Sequence, residues 1–190
     1  MAYRILFNTL KNKYARDLEE EFKAEGHEVI SSDGTDNIDM LVLFLPEKES
    51  LNAGKSIRDE LDFRALSEEI SDAVSNLPEY VKENIGRFKK DGLKRIAFIT
   101  DKQASIRESL EETDFSYHCA QAATTMMMKI LFNTYRPEGF TFRCFAAGEG
   151  GMGAAEYLLT DQSYIKEDDY IHSDENRLVM RNGMLREITW

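Results

Sequence analysis

Asp39-Met40-Leu41-Val42-Leu43-Phe44-Leu45-Pro46 is a run of apolar residues opened by an acid and stopped by a proline. Its length suits a strand, and the lack of polar alternation means that both faces are covered, as in a parallel sheet between two helical layers. On its N-terminal side, 3–8 is another short apolar run. Residues 10–25 then place Tyr14, Leu18 and Phe22 four apart before Gly26, a helical stripe with a glycine stop. Residues 27–31 read as the second strand. On the C-terminal side, 47–61 is polar and reads as a loop, and 63–90 reads as a long helix, interrupted or bent near Pro78 and closed by Asp91-Gly92. A strand at 95–100, a polar connection at 101–114, a helix at 116–135 and a strand at 140–147 follow. Residues 148–153 make a glycine-rich turn into a short helix at 154–159. In the tail, Asn182-Gly183 stands between two short strand-like runs, which predicts a hairpin. Strands alternating with helices predict an α/β fold: a doubly wound, mainly parallel sheet with helices on both faces.

At 190 residues and 42% hydrophobic content the chain fits one domain, 1–190, with one substantial core. Its 35 acids against 24 bases give a formal charge of -11, and such a surface repels phosphate backbones and anionic lipid. Neither nucleic acid nor a membrane is expected as a partner. Cys119 and Cys144 form no Cys-x-x-Cys pair, and His27, His118 and His172 are scattered, so no metal site is expected and the thiols suit a reducing cytoplasm. The opening Met1-Ala2-Tyr3-Arg4-Ile5-Leu6-Phe7 lacks the basic region and apolar stretch of an export signal, which also points to the cytoplasm.

The run Phe115-Ser116-Tyr117-His118-Cys119-Ala120-Gln121-Ala122-Ala123 resembles the active-site helix of the short-chain dehydrogenase/reductase family, with its Tyr-x-x-x-Lys lysine replaced by Gln121. In that pair the ammonium, one helical turn away, lowers the phenol pKa and holds the cofactor ribose. A glutamine keeps hydrogen bonds but not the charge. Other pieces fall in family order. Residues 16–30 look like the first helix, its turn and the second strand, and 94–100 like the strand leading to the catalytic serine. Arg136-Pro137-Glu138-Gly139 with 140–147 looks like the turn and strand after the active-site helix, and Arg186-Glu187-Ile188-Thr189-Trp190 like some bacterial tails. The resemblance implies a Rossmann-like sheet, trimmed, because the space between the second strand and Asp39 is too short for the usual extra helix and strand.

Carried over position by position, the functional residues are altered. The family's Thr-Gly-x-x-x-Gly-x-Gly turn falls on Asn8-Thr9-Leu10-Lys11-Asn12-Lys13-Tyr14-Ala15, without a glycine, so the backbone cannot approach a pyrophosphate in the same way. The Asn-Asn-Ala-Gly segment falls on Leu43-Phe44-Leu45-Pro46. The catalytic serine falls on Asp101 or its neighbour Thr100, and a carboxylate there disfavours an oxyanion. The helix asparagine falls near Asp72. The positions left nearest a cofactor are Thr9, Lys13, Asp33 after the second strand, and Gly148; those nearest the chemistry are Tyr117, Gln121 and Asp101.

Two glycine motifs mimic phosphate sites. Ala53-Gly54-Lys55-Ser56 lacks the required upstream glycine, since Glu49 stands there. Gly148-Glu149-Gly150-Gly151-Met152-Gly153 fits Gly-x-Gly-x-x-Gly, yet a hairpin rather than a continuing strand-helix-strand unit is expected after it. Together these features predict a non-catalytic binding or assembly subunit with no expected cofactor. The alternative is a divergent NAD(P)-dependent oxidoreductase of a small carbonyl or alcohol substrate, relaying protons through Tyr117 with Gln121 or Asp101. Met126, Met127 and Met128 with Ile130 and Leu131 make the 117–135 helix apolar on more than one face. Together with the family's habit, this predicts a homodimer or higher homo-oligomer through that helix and part of 63–90, with Met127 or Met128 turned outward, and leaves room for another protein partner.

Overall fold

Every residue of the strand Met40–Phe44 (β3) is buried, and its side chains alternate between two cores. This is a computed structural model, and it describes residues 2–8, 13–30, 34, 36–44, 52–100, 104–107, 109–147, 153–160 and 178–190 of the chain. The other elements are β1 (Arg4–Phe7), α1 (Lys13–Ala24), β2 (Glu28–Ile30), α2 (Phe63–Asn84), β4 (Arg95–Thr100), α3 (Phe115–Tyr135), β5 (Thr141–Ala146), α4 (Ala154–Leu159), β6 (Met180–Asn182) and β7 (Glu187–Ile188).

The sheet order is β2-β1-β3-β4-β5-β6-β7, parallel throughout except for the antiparallel β6–β7 pair. Leu41 and Leu43 face α2 and α3, meeting Leu77, Val81, Met128, Leu131 and Phe132 in one core. Met40, Val42 and Phe44 face α1 and α4, meeting Leu18, Phe22, Tyr157 and Leu158 in the other. Three layers result, α/β/α, as the apolar run of β3 requires. Strand order reverses between β1 and β3, and beyond β1 only β2 remains, where the usual dinucleotide-binding sheet has two strands.

Local chemistry sets the element ends. Gly26, at φ 82°, ends α1 with the two reverse bonds of a Schellman motif, His27 N to the Phe22 carbonyl at 2.9 Å and Gly26 N to the Lys23 carbonyl at 3.0 Å. Asp62 caps α2 by accepting from the amides of Arg64 and Ala65. The expected break near Pro78 is absent: α2 runs unbroken to Asn84, and only then tightens into a 3-10 turn at Ile85–Arg87. Buried Arg95 and Arg143 bind the last carbonyls of α4. The Arg95 Nη1 donates to Leu158 O at 2.7 Å and Thr160 O at 2.9 Å, and the Arg143 Nη2 to Thr160 O at 3.0 Å.

Two expectations about the tail need correction. The hairpin forms, but not around a two-residue Asn-Gly turn: Asn182 is the last residue of β6 and its carboxamide oxygen accepts from Met184 N and Arg186 N. The loop is Gly183-Met184-Leu185, and its left-handed residue is Leu185, at φ 59°. Before the hairpin, β6 pairs parallel with β5, so α4 does lie in a strand-helix-strand crossover. Parallel pairing of Cys144 with Met180 buries both, which a free-standing hairpin would not do.

Candidate functional site

In an open parallel sheet, ligands bind beyond the carboxyl ends of the strands where the order reverses. Here that place lies after Phe7 and Phe44. Among the described residues there, the last backbone groups of both strands are already taken. The Asn8 carboxamide spans the gap, accepting from Phe44 N at 2.8 Å and donating to the Phe44 carbonyl at 3.2 Å, and Asn8 N donates to Val42 O at 3.1 Å. From α2, the Tyr80 hydroxyl donates to the Phe7 carbonyl at 2.8 Å. Neither residue carried a signal in the sequence, since an Asn after a strand and a Tyr in a helix are ordinary.

The residues aligned with the family's chemistry turn inward. Gln121 is 4% exposed, and the buried Thr100 hydroxyl, at the end of β4, donates to its Oε1 at 3.3 Å. Tyr117, one turn before Gln121 and half-buried, sets its ring edge-on to His118 with centroids 6.0 Å apart. The structure thus joins Thr100 to Gln121 and sets the Tyr117 ring against His118. Asp101, Thr9, Asp33 and Gly148 lie outside the described residues, as does the side chain of Lys13, the first residue of α1. Asp72 is exposed on α2.

Of the two glycine motifs, 53–56 is described in full, while 148–152 of the second lie outside the described residues; Gly54 and Gly153 each sit against a carboxylate. Gly54 N donates to Asp114 Oδ1 at 2.6 Å, so the amide that a phosphate would seek faces an acid. Its neighbour Ser56 bonds Asp59 through amide and hydroxyl, and the amide bond first holds the Asp59 carboxyl below the ordinary carboxylate range. At the start of α4, Glu21 Oε2 accepts from Ala155 N at 3.1 Å, and a Cβ on Gly153 would lie 2.9 Å from that oxygen. The carboxylate of α1 thus lies close against this helix start, and its charge repels a phosphate.

On the opposite side of α3 a cavity of about 530 Å³ opens between Ser56-Ile57-Arg58, the 104–113 connection and residues Phe115, His118, Cys119 and Ala122. Ser109 Oγ lies 3.4 Å from His118 Nδ1 at its wall. Ile57 and Ile106 in its lining are 70% and 78% exposed. Burial pushes the Cys119 thiol above its ordinary pKa, so it is no ready thiolate. The sequence reading missed this cavity; the signal available was Ile106, an apolar residue in a largely polar connection. Among the described residues no group of three or more His, Cys, Asp or Glu side chains could hold a metal ion, and no helix is long and apolar enough to cross a membrane.

The order and parallel pairing of the sheet define a Rossmann-like, doubly wound α/β protein. Solved structures narrow the fold to that of the short-chain dehydrogenase/reductases. A short-chain alcohol dehydrogenase from Burkholderia multivorans superposes with a TM-score of 0.74 at 14% identity over 100% of both chains. A carbonyl reductase from Pseudomonas aeruginosa PAO1 in complex with NADP gives 0.67 at 13% identity, again over 100% of both. The enoyl-[acyl-carrier-protein] reductase (NADH) from Aquifex aeolicus VF5 gives 0.61 at 13% identity over 79% of this chain and 80% of that one. No protein-family model and no curated protein sequence matches the chain. The shared fold implies a nicotinamide dinucleotide beyond β1 and β3, and the described residues at that place do not fit one. Side-chain groups of Asn8 and Tyr80 hold the backbone there, the turn has no glycine, and Gln121 is committed to Thr100.

Proposed function

We propose that the protein is a non-catalytic binding or assembly subunit on a short-chain dehydrogenase/reductase fold, in the cytoplasm, which binds neither NAD(H) nor NADP(H). The observation that carries this reading is the buried Thr100–Gln121 bond. In the resembling family, that helix position offers an ammonium to the ribose and to the tyrosine; here it offers a carboxamide already bonded inside the core. Position 121 therefore supplies no charge toward Tyr117, where the resembling family has an ammonium that lowers the phenol pKa.

Assembly is the second half of the proposal. Met126 and Ile130 on α3 are 62% and 49% exposed, and Phe63 at the start of α2 is 69% exposed. Facing a second copy across a two-fold axis, this face would make an isologous dimer or part of a larger homo-oligomer, or it would take another protein. Calorimetric titration with NADH and NADPH tests the first half: no heat of binding is expected, and micromolar affinity for either would overturn it. Light scattering tests the second, with a monomer at micromolar concentration as the refuting result.

A divergent NAD(P)-dependent oxidoreductase is the second reading, favoured by the neighbours solved with NADP bound. It requires Tyr117 with Gln121 or Asp101 to relay protons, and the same titration separates it.

A further inference from the structure

The cavity on the outer side of α3 is built rather than incidental. Its 52–59 wall is closed on itself by Asn52, whose carboxamide accepts from Asp62 N at 2.8 Å and donates to Asp62 O at 3.0 Å. That wall is pinned to α3 by Asn52 Nδ2 to the buried Ser116 hydroxyl at 2.7 Å, Phe115 N to Lys55 O at 3.3 Å and Gly54 N to Asp114. Asp114 itself holds a left-handed backbone, φ 56°, at the entry to the helix, a conformation that costs a non-glycine residue energy and persists because the surrounding bonds enforce it. The opposite wall is tied down by the Ser105 hydroxyl, which donates to the Thr189 carbonyl of the tail. Walls fixed before a ligand arrives reduce the ordering cost of binding.

We propose that this cavity is a binding site for a small amine with an apolar body. At about 530 Å³ it has the size of a small-molecule site, apolar over Ile57, Ile106, Phe115 and Ala122, with the Ser109–His118 pair as a hydrogen-bonding spot on one wall. The apolar body fills the space under Ile57 and Ile106, which otherwise stand in water. The sign of the head group follows from the lining: among the described residues of the cavity two carboxylates, Glu111 and Glu112, outnumber the guanidinium of Arg58, on a chain of net charge -11. An anionic head of the same shape is disfavoured. Tyr117 and Gln121 do not line the cavity, so the inference goes beyond the non-catalytic reading and does not need it.

Cys119 is in the lining and Cys144 is sealed in the core, so iodoacetamide alkylation of the native protein, followed by mass spectrometry, reports on the cavity alone. The probes are phenylpropylamine and phenylpropionate, which share a body and differ in charge. The amine should slow Cys119 alkylation saturably, by about tenfold at about ten times its dissociation constant, since only the free fraction reacts. Phenylpropionate should not. Ala122→Trp, which fills the cavity, should abolish the protection, and Ile106→Lys, at a residue 78% exposed and safe for folding, should weaken it strongly. Protection by neither compound, equal protection by both, or amine protection unchanged in Ile106→Lys would each overturn the assignment. Because the cofactor titration addresses the other side of α3, failure of one reading leaves the other standing.

Discussion

The two sides of α3 carry similar side chains and use them differently. On the inner side, Gln121 and Thr124 are buried and satisfied from within: Gln121 by Thr100, and the Thr124 hydroxyl by the Ala120 carbonyl at 2.9 Å. On the outer side, His118 and Cys119 border a cavity and Met126 and Ile130 stand in solvent. Dehydrogenase chemistry on this fold needs polar groups on the inner side that are held by the protein yet offered to a ligand. Here those groups bond within the fold, and among the described residues a cavity opens on the outer side.

The sharpest way to break that comparison is to place the same charge on each side. Met128→Glu puts a carboxylate at a position 0% exposed, packed with Leu131 and Phe132 against the sheet, and should cost more than about 4 kcal/mol, enough to unfold the protein. Met126→Glu, at 62% exposure, should change stability by no more than about 0.5 kcal/mol while converting an oligomer to monomer in light scattering. Sequence reasoning placed Met127 or Met128 outward. The structure corrects this: Met128 is core, Met127 packs partly against the same core, and Met126 is the outward methionine. Three consecutive methionines carry no periodicity of their own, so the phase of the helix was set by its neighbours.

Gln121→Lys restores the family residue at the family position. With Gln121 enclosed beside Thr100, the ammonium must be buried where a neutral carboxamide now sits, at a cost of about 2–3 kcal/mol. The variant should melt lower and show no NADH- or NADPH-dependent reduction of simple carbonyl compounds. Cofactor-dependent turnover would instead show that the lysine alone was missing.

Legibility followed burial. The run 39–46 declared a two-sided strand because every side chain in β3 is apolar, and alternation of such runs with helical stripes yielded the parallel sheet. The helix start at Phe115, the strand at Arg95–Thr100 and the short α4 all fell within a residue of expectation. Pro78 does not interrupt α2, because a proline inside a long helix packed against α3 can be carried by tertiary contacts. The hairpin turn misled because Asn182 spends its side chain capping the loop rather than occupying it. At the sheet mouth the sequence showed which family residues were missing, but not that Asn8 and Tyr80 had taken over the backbone groups, since side chain to backbone bonds across 36 and 73 residues leave no local pattern. The outer cavity depends on three segments meeting, which no single stretch encodes.

The two thiols sharpen the comparison through pH. Cys144 on β5 faces the inner side of α3, and complete burial pushes its pKa far up; Cys119, on the outer side, is raised less firmly by partial burial. A folded pKa above the unfolded one means that the protonated form favours folding. The contribution is whole below the unfolded thiol value and is lost as pH climbs above about 8.5, at about 1.4 kcal/mol per pH unit for the buried thiol. Urea midpoints should therefore fall more steeply on the alkaline side for the wild type than for Cys144→Ala. Equal slopes would mean that Cys144 ionises in place and that the inner side is less sealed than its contacts imply.

Asn8→Ala should have the smallest effect and asks what closes the sheet mouth. The substitution removes two hydrogen bonds to Phe44, one at 2.8 Å and one at 3.2 Å, at a half-buried position where water can take over part of their role. Loss of about 1 kcal/mol is expected, read as a lower urea midpoint with an unchanged slope. Cofactor binding should stay absent, because the glycine-free turn after β1 and the buried Gln121 are untouched. If instead Asn8→Ala gained measurable NADPH affinity, the carboxamide bridge would be acting as a plug over a crevice still shaped for a dinucleotide. The inner side of α3 would then be a closed site rather than a lost one.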